Sequence, residues 1–159
     1  MHNTFVTMFW RPSRLDETVD RLRSHAYDVV EFDAGCWAST DDMFTDIADG
    51  LDFPDYFGRN LNALDDCMSE VASGDYGWRG EATGLVIVLR AFDAFATVDR
   101  ESAQSMLDIF ADKARCAILI GNRIICLVQS NDPQLAFEPV GATPVMWNDA
   151  EWLSSKRGL

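Results

Sequence analysis

The sequence predicts an α/β fold with a largely parallel sheet. Short runs rich in β-branched and aromatic residues, such as TFVTMFW at 4–10, alternate with segments whose apolar residues recur at helical spacing. The run LVIVL at 85–89 is apolar throughout, as expected of a central strand covered on both faces. Such alternation indicates parallel strands joined by helical crossovers. Because no polar linker, repeat or low-complexity tract divides the chain, we expect a single domain over residues 1–159.

The N-terminal part is predicted to contain two strands and a helix between them. After the strand at 4–10, Ser13 and Asp16 resemble a capping box, and a helix follows to about Ala26. The segment DVVEFDAGCW at 28–37 is predicted to be the second strand.

Capping residues mark the next two helices. Ser39 or Thr40 is predicted to begin one helix, which Pro54 ends. Asn60 is a plausible N-cap for the following helix. The apolar face of that helix is formed by Leu61, Leu64, Met68 and Val71.

The C-terminal half begins with a polar, glycine-rich loop and the strand at 85–89. Asp99 is predicted to cap a further helix that extends to about Ala114. The run CAILI at 116–120 is predicted to be a buried strand, and the turn GNR then leads into IICLVQS at 124–130 as a hairpin. The tail contains PVMWN, predicted as a last strand, and EWL, predicted as a short helix.

Acidic residues are concentrated in one part of the chain. The net charge is −13, and residues 28–75 contain 13 of the 26 Asp and Glu residues against one basic residue, Arg59. This acidic run disfavours nucleic acid and anionic membranes as partners and favours a basic protein surface. Acidity that serves solubility alone is the alternative interpretation. Since no secretory signal pattern and no apolar run of membrane-spanning length is present, we expect a cytoplasmic protein.

Side chains suited to metal or nucleophilic chemistry are scarce. The two histidines stand near the N-terminus, and the four cysteines form no C-x-x-C pair. We therefore expect no metal and no cofactor, and we expect the cysteines to be reduced and buried. Motifs of phosphate-binding loops, dinucleotide sites, zinc proteases and serine hydrolases are also absent, so the sequence does not predict an enzyme.

Two adjacent carboxylates, Asp65 and Asp66, stand on the helix that follows Asn60. A hydrolase that uses carboxylates is one alternative, but neighbours on a helix point about 100° apart and cannot readily flank one bond. Asn62 and Asp66 instead lie one turn apart, as do Asp108 and Asp112 on the later helix. If the two helices lie side by side, these carboxylates form one acidic patch; otherwise each is an ordinary solvated helix face.

The stretch LDFPDYFGRNLNALDDCMSE at 51–70 resembles the signature of the barstar family, intracellular inhibitors of barnase-like ribonucleases. A second stretch, RESAQSMLDIFADKARCAILI at 100–120, resembles the last helix and last strand of that family. The resemblance spans about residues 29–120. The signature positions that match are Pro54, Tyr56, Phe57, Gly58, Asn60, Leu61, Ala63, Leu64, Asp66 and Cys67.

The resemblance implies a barstar-like fold, which is a small, mainly parallel sheet flanked by helices. The core would span about residues 28–121, with an added N-terminal strand–helix unit at 1–27 and a C-terminal hairpin and tail at 122–159. In this family the acidic helix and the loop before it enter the active site of the ribonuclease. A carboxylate there takes the place of an RNA phosphate.

The resemblance also implies which residues contact the partner. The principal contact aspartate of the family falls on Asp66, the contact tyrosine on Tyr56, and the acidic contact of the last helix on Asp112. Backbone near Gly58 and Asn60 lies at the same interface in the family. The expected partner-binding residues are Tyr56, Gly58, Asn60, Asn62, Asp65, Asp66, Ser69, Glu70 and Asp112.

Three positions depart from the family pattern. A contact aspartate is replaced by Asn62, a contact tryptophan by Asp65, and an aromatic residue after the helix by Val71. Charge is thereby moved within the patch, and aromatic anchors are lost. We therefore expect a different choice of ribonuclease rather than a different way of binding.

Together with the acidic run, the resemblance implies an inhibitor that plugs the active site of a basic, barnase-like, guanyl-specific ribonuclease. The alternative is an immunity or interaction module that uses the same fold for a different basic toxin or protein partner. Loss of RNA cleavage on mixing with a barnase-like nuclease distinguishes the two.

Overall fold

A computed structural model describes residues 5–159; Thr4, where the first predicted strand begins, lies outside the described residues. The strands are β1 (Val6–Phe9), β2 (Asp28–Asp33), β3 (Leu85–Arg90), β4 (Ile124–Gln129) and β5 (Met146–Trp147). They form one sheet in the order β2-β3-β4-β1-β5, and each neighbouring pair is parallel. The predicted α/β fold with a mainly parallel sheet is confirmed.

Helices cover both faces of this sheet. They are α1 (Pro12–Ser24), α2 (Thr40–Gly50), α3 (Leu61–Ala72), α4 (Phe92–Val98) and α5 (Arg100–Leu119), with 3₁₀ turns at Ala34–Cys36 and Ser154–Arg157. Alternation along β3 places Leu85, Ile87 and Leu89 in a large apolar core under α2–α5, while Val86 and Val88 join a smaller core under α1. The prediction that this strand is covered on both faces is confirmed. No helix within residues 5–159 combines the length and apolarity that a membrane-spanning helix needs.

Local capping signals place three of the helices correctly. Ser39, Asn60 and Asp99 each accept a hydrogen bond from the backbone N–H three residues further along, at 3.2, 2.8 and 3.0 Å. Such a bond satisfies one of the N–H groups that the first turn of a helix leaves unpaired. The starts of α2, α3 and α5 are therefore confirmed.

The start of α1 differs from the prediction. The capping box of Ser13 does not form, because Pro12 opens the helix and Arg11 is the N-cap, without a side-chain hydrogen bond. A carboxylate from the C-terminal segment lies here instead. Glu151, which is 1% exposed, accepts hydrogen bonds from the backbone N–H groups of Trp10 and Arg11, both at 2.9 Å. The C-terminal segment thus holds the β1–α1 turn.

The prediction of a buried strand at 116–120 is wrong. α5 continues through Leu119, and the last apolar residues of the run are exposed, Leu119 by 82%. Gly121 follows with φ 84°, a conformation that commonly ends a helix. A short apolar run is compatible with either a strand or a helix segment, and its periodicity alone cannot decide between them.

The predicted hairpin at 124–130 is also wrong. β4 pairs in parallel with β3 on one side and β1 on the other. Because the residues before the GNR turn belong to α5, no strand precedes the turn to form an antiparallel pair. The second strand is also shorter than predicted, since β2 ends at Asp33 and a 3₁₀ turn follows.

Both terminal segments extend the sheet beyond β4, because β1 pairs with β4 and β5 pairs with β1. β1 lies between β4 and β5, and the predicted strand in the tail is confirmed as β5. The predicted helix at EWL is displaced to the 3₁₀ turn that contains Arg157. The guanidinium of Arg157 stacks over Trp147, with 4.4 Å between the guanidinium carbon and the ring centroid.

The expectation that all cysteines are buried holds for Cys67 and Cys126 and is wrong for the other two, which are exposed.

Candidate partner-binding surface

The helix with the two adjacent carboxylates packs beside α5, on the large-core face of the sheet. Leu64, Met68 and Val71 form the inner face of α3 and are fully buried. Their burial turns the opposite side of α3 to solvent, where Asn62 and Asp66 are both exposed. The two helices therefore lie side by side, which is the arrangement that an acidic patch requires.

Arg59 fastens the loop before α3 to α2. Arg59 has a positive φ of 54°, and its guanidinium forms an ion pair with Asp41 at 2.7 Å and donates to the Thr45 hydroxyl. The Asn60 side chain caps α3 and also donates to the carbonyl of Gly58 at 3.2 Å. Gly58 and Asn60 are exposed residues, and these contacts hold them in place.

Two tyrosines share the carboxylate of Glu70. The hydroxyl of Tyr56 donates to the Glu70 oxygens at 3.2 and 3.3 Å, and the hydroxyl of Tyr76 donates to one of them at 2.7 Å. Tyr76 is partly buried, whereas Tyr56 is 72% exposed. Glu70 therefore holds the hydroxyl end of an exposed tyrosine ring, and its own carboxylate is already occupied.

The buried end of this chain of hydrogen bonds predicts an unusual alkaline titration. Burial, followed by the hydrogen bond to Glu70, raises the pKa of Tyr76 well above its ordinary value. Between about pH 9 and about pH 11 the folded protein gains absorbance as tyrosines become phenolates. Tyr76→Phe should not change this gain, because Tyr76 stays neutral over that range. Because the raised pKa belongs to the folded state, the stabilisation from neutral Tyr76 is complete below about pH 10 and is lost above it.

Absorbance titration of wild type and Tyr76→Phe, with and without denaturant, measures this directly. The chain has three tyrosines, so the unfolded variant should show two thirds of the wild-type amplitude. A loss of one third in the folded variant as well would contradict the shifted pKa.

Asp66 is the exposed carboxylate at the centre of the α3 surface. It forms no hydrogen bond or ion pair with any residue in the described range 5–159. Asn62, one turn before it, lines an open depression of about 360 Å³ at the N-termini of α2, α3 and α5. Ser69 is half-buried, and its hydroxyl donates to the carbonyl of Asp65 at 3.1 Å. Asp66 is thus available to a partner, while the Ser69 hydroxyl bonds within the helix.

A lysine from α5 joins the other two acidic candidates. The Lys113 ammonium lies 3.1 Å from a carboxylate oxygen of Asp65 and 3.5 Å from one of Asp112. The lysine side chain is 12% exposed, and the two carboxylates are about half exposed, at 45% and 48%. Burial opposes the charge on Lys113, but the hydrogen bond to Asp65 and the charges of both carboxylates outweigh it and raise the pKa of the lysine. The structure brings Asp65 and Asp112 together, with a cation between them.

The acidic run is less unpaired than the sequence suggests. Within residues 5–159, four of its 13 carboxylates form ion pairs with basic residues: Asp28 with Arg79, Glu31 with Arg90, Asp41 with Arg59 and Asp65 with Lys113. Three of these four basic residues come from outside the run. The count of acidic and basic residues in the run therefore overstates the unpaired charge on the folded surface.

The structure separates one further acidic candidate from the patch. Asp108 accepts a hydrogen bond from the backbone N–H of Gly141 at 2.8 Å, so it faces the C-terminal segment rather than α3.

Sequence reasoning missed Lys113 and Tyr76. Lys113 directly follows Asp112 and flanks the buried stripe of α5, and that position is the signal that could have revealed a cation between the helices.

Comparison with known proteins agrees with this geometry. The family model described as Barstar (barnase inhibitor) matches residues 27–128, from just before β2 almost to the end of β4. A protein of Bacillus subtilis (strain 168) named "Putative ribonuclease inhibitor YrdF" is 37% identical over 70 residues, which cover 44% of this chain and 67% of that protein. α3, α5 and the loop before α3 all lie within the family match. Because that match covers more than half of its residues, the chain belongs to the barstar family.

Proposed function

We propose that this chain inhibits a basic, barnase-type, guanyl-specific ribonuclease inside the cell by inserting α3 and the preceding loop into its active site. Membership in the barstar family and the similarity to a protein named as a ribonuclease inhibitor support a ribonuclease as the partner. The chain then acts by stoichiometric binding and not as an enzyme. An immunity role, in which it protects its own cell from a secreted nuclease, follows from the same activity.

The observation that carries the proposal is the unpaired carboxylate of Asp66. It is exposed, it has no hydrogen-bond or ion-pair partner in residues 5–159, and it stands at the family's principal contact position. A ribonuclease presents basic groups where the RNA phosphate binds. A carboxylate placed among them forms charge-assisted hydrogen bonds that water alone does not offer. Asp66 would therefore occupy the phosphate position of the enzyme.

The remaining residues would frame this contact. Tyr56 offers a rigid, exposed ring whose hydroxyl is held by Glu70, so little conformational entropy is lost when it is buried. Gly58 and Asn60, which are exposed, lie in the same loop. The other members of the proposed interface are Asn62, Asp65, Ser69 and Asp112.

Titration of a barnase-type ribonuclease with the chain tests the proposal. Cleavage of a fluorogenic RNA should fall linearly and end at about one molar equivalent, as expected of tight binding. Association should slow as the salt concentration rises from about 0.05 M to about 0.5 M, because opposite charges steer the encounter. The barstar family is a standard example of such steering, so this expectation follows the family.

An unrelated protein of similar size and net charge serves as the control in this titration. Unchanged RNA cleavage at a several-fold molar excess of the chain would contradict the proposal. That result would favour the alternative, an interaction module for a different basic toxin, which a pull-down with basic nuclease and toxin domains would then identify.

A further inference from the structure

Lys113 occupies the seam between the two helices of the proposed interface. Its ammonium contacts one carboxylate from α3, Asp65, and one from α5, Asp112. Neither the family match nor the sequence pattern assigns this lysine a role. Its ammonium nevertheless offsets part of the negative charge of two acidic side chains that a partner would meet.

The contacts of Lys113 keep its charge inside the inhibitor. The side chain is 12% exposed, so its stem is packed between the helices and its head cannot swing away without leaving the seam. Asp65 and Asp112 remain about half exposed. A partner that approaches this side of the surface therefore meets two carboxylates that already share one cation.

The charge balance of the surface follows from this pairing. Two carboxylates and one ammonium sum to about −1, where two unpaired carboxylates would present −2. Asp66, which has no ion-pair partner in residues 5–159, keeps its full charge. The side of the surface next to α5 is therefore less negative than two unpaired carboxylates would make it, whereas Asp66 is not offset in this way.

We propose that Lys113 is a specificity-determining residue that neutralises the Asp65–Asp112 pair from within the chain, so that the surface selects a ribonuclease whose cations cluster opposite Asp66. This inference rests on the proposed inhibitory function. A partner with a broad basic rim would place further cations against a pair that is already satisfied, and those cations would compete with Lys113. A partner that faces α5 with neutral hydrogen-bond donors pays no such penalty.

Replacement of Lys113 by methionine tests the inference, because methionine keeps the unbranched stem and removes the charge. The variant should associate with a barnase-type ribonuclease about twofold to threefold faster at low ionic strength, since two carboxylates near the encounter site lose their internal cation. The difference should vanish at about 0.5 M salt. Stopped-flow measurement of the association rate constant at several salt concentrations provides the readout, and Lys113→Arg should associate at the wild-type rate because it keeps the charge.

Arg90 offers a matched control elsewhere on the molecule. Its guanidinium is also shared by two carboxylates, at 2.6 Å from Asp16 and 3.3 Å from Glu31. Asp16 belongs to α1, which covers the opposite face of the sheet from α3 and α5. Arg90→Met changes the net charge by the same amount as Lys113→Met, and it should leave the association rate within about 1.5-fold of wild type.

The outcomes separate this inference from the proposed function. If the wild type inhibits the ribonuclease and only Lys113→Met associates faster, the inference is supported. Equal acceleration by Arg90→Met would mean that net charge alone matters. An unchanged or slower association of Lys113→Met would mean that Lys113 does not set the charge of the interface. Either result overturns the inference and leaves the inhibitory function in place. A wild type that fails to inhibit removes both. Thermal unfolding of each variant confirms that the comparison is between folded proteins.

Discussion

Asp66→Ala is expected to weaken binding to a barnase-type ribonuclease by about 4 kcal/mol, which is about a thousandfold in Kd. The reason is that the basic groups of the enzyme would remain buried in the complex without a counter-charge. The barstar family is itself a standard example of a contact aspartate with a large effect, so this size follows the family. Titration calorimetry or the ratio of dissociation and association rates measures the change.

Asp20 on α1 offers a control for Asp66→Ala. Asp20 is exposed, forms no ion pair in the described residues, and stands on the opposite side of the sheet. Asp20→Ala removes the same charge and should change Kd by less than about threefold. Both variants should unfold within about 0.5 kcal/mol of wild type, because neither carboxylate forms a hydrogen bond or ion pair with the residues that the structure describes. Equal affinities of Asp66→Ala and wild type would rule out Asp66 as the central contact.

Glu151→Ala is expected to lower the free energy of unfolding by about 3 kcal/mol. The buried carboxylate accepts hydrogen bonds from the N–H groups of Trp10 and Arg11 at 2.9 Å and from the side-chain amide of Asn148 at 2.8 Å. Alanine would leave these donors without an acceptor and would remove a negative charge from the N-terminus of α1. For a chain of this length the midpoint of thermal unfolding should fall by about 6–12 °C.

Glu81, in the exposed loop before β3, provides the matched control for Glu151→Ala. It forms no hydrogen bond or ion pair with the described residues, so Glu81→Ala should stay within about 0.5 kcal/mol of wild type. Chemical denaturation of the three proteins gives the comparison. A Glu151→Ala protein as stable as the control would show that the C-terminal segment does not hold the β1–α1 turn.

The starts of α2, α3 and α5 and the alternation of helix and strand could be predicted from the sequence because their causes are local. Ser39, Asn60 and Asp99 cap their helices through a bond to an N–H only three residues away. The apolar face of α3 follows from the same short spacing, and it turns Asp66 outward. The location of the candidate surface on α3 was therefore accessible without coordinates.

Elements whose identity depends on distant partners could not be predicted in the same way. The run CAILI is apolar enough for a strand, yet α5 continues through it because Ala114 and Ala117 extend the buried stripe of that helix. Likewise, β4 is parallel to its neighbours because β3 and β1, far apart in the chain, lie on either side of it. Choices of this kind are made by packing and not by local propensity.

The sequence by itself determined the α/β class, the acidic run and the family signature, all of which are properties of neighbouring residues. Only the tertiary structure decided which carboxylates stay unpaired. Lys113 reaches Asp65 from a helix 48 positions later, and Glu151 reaches Trp10 from the other end of the chain. The interaction between two charges depends on the distance between them in space and not on their separation in the sequence. Acidic residues that look alike in the sequence therefore become either paired or unpaired when the chain folds.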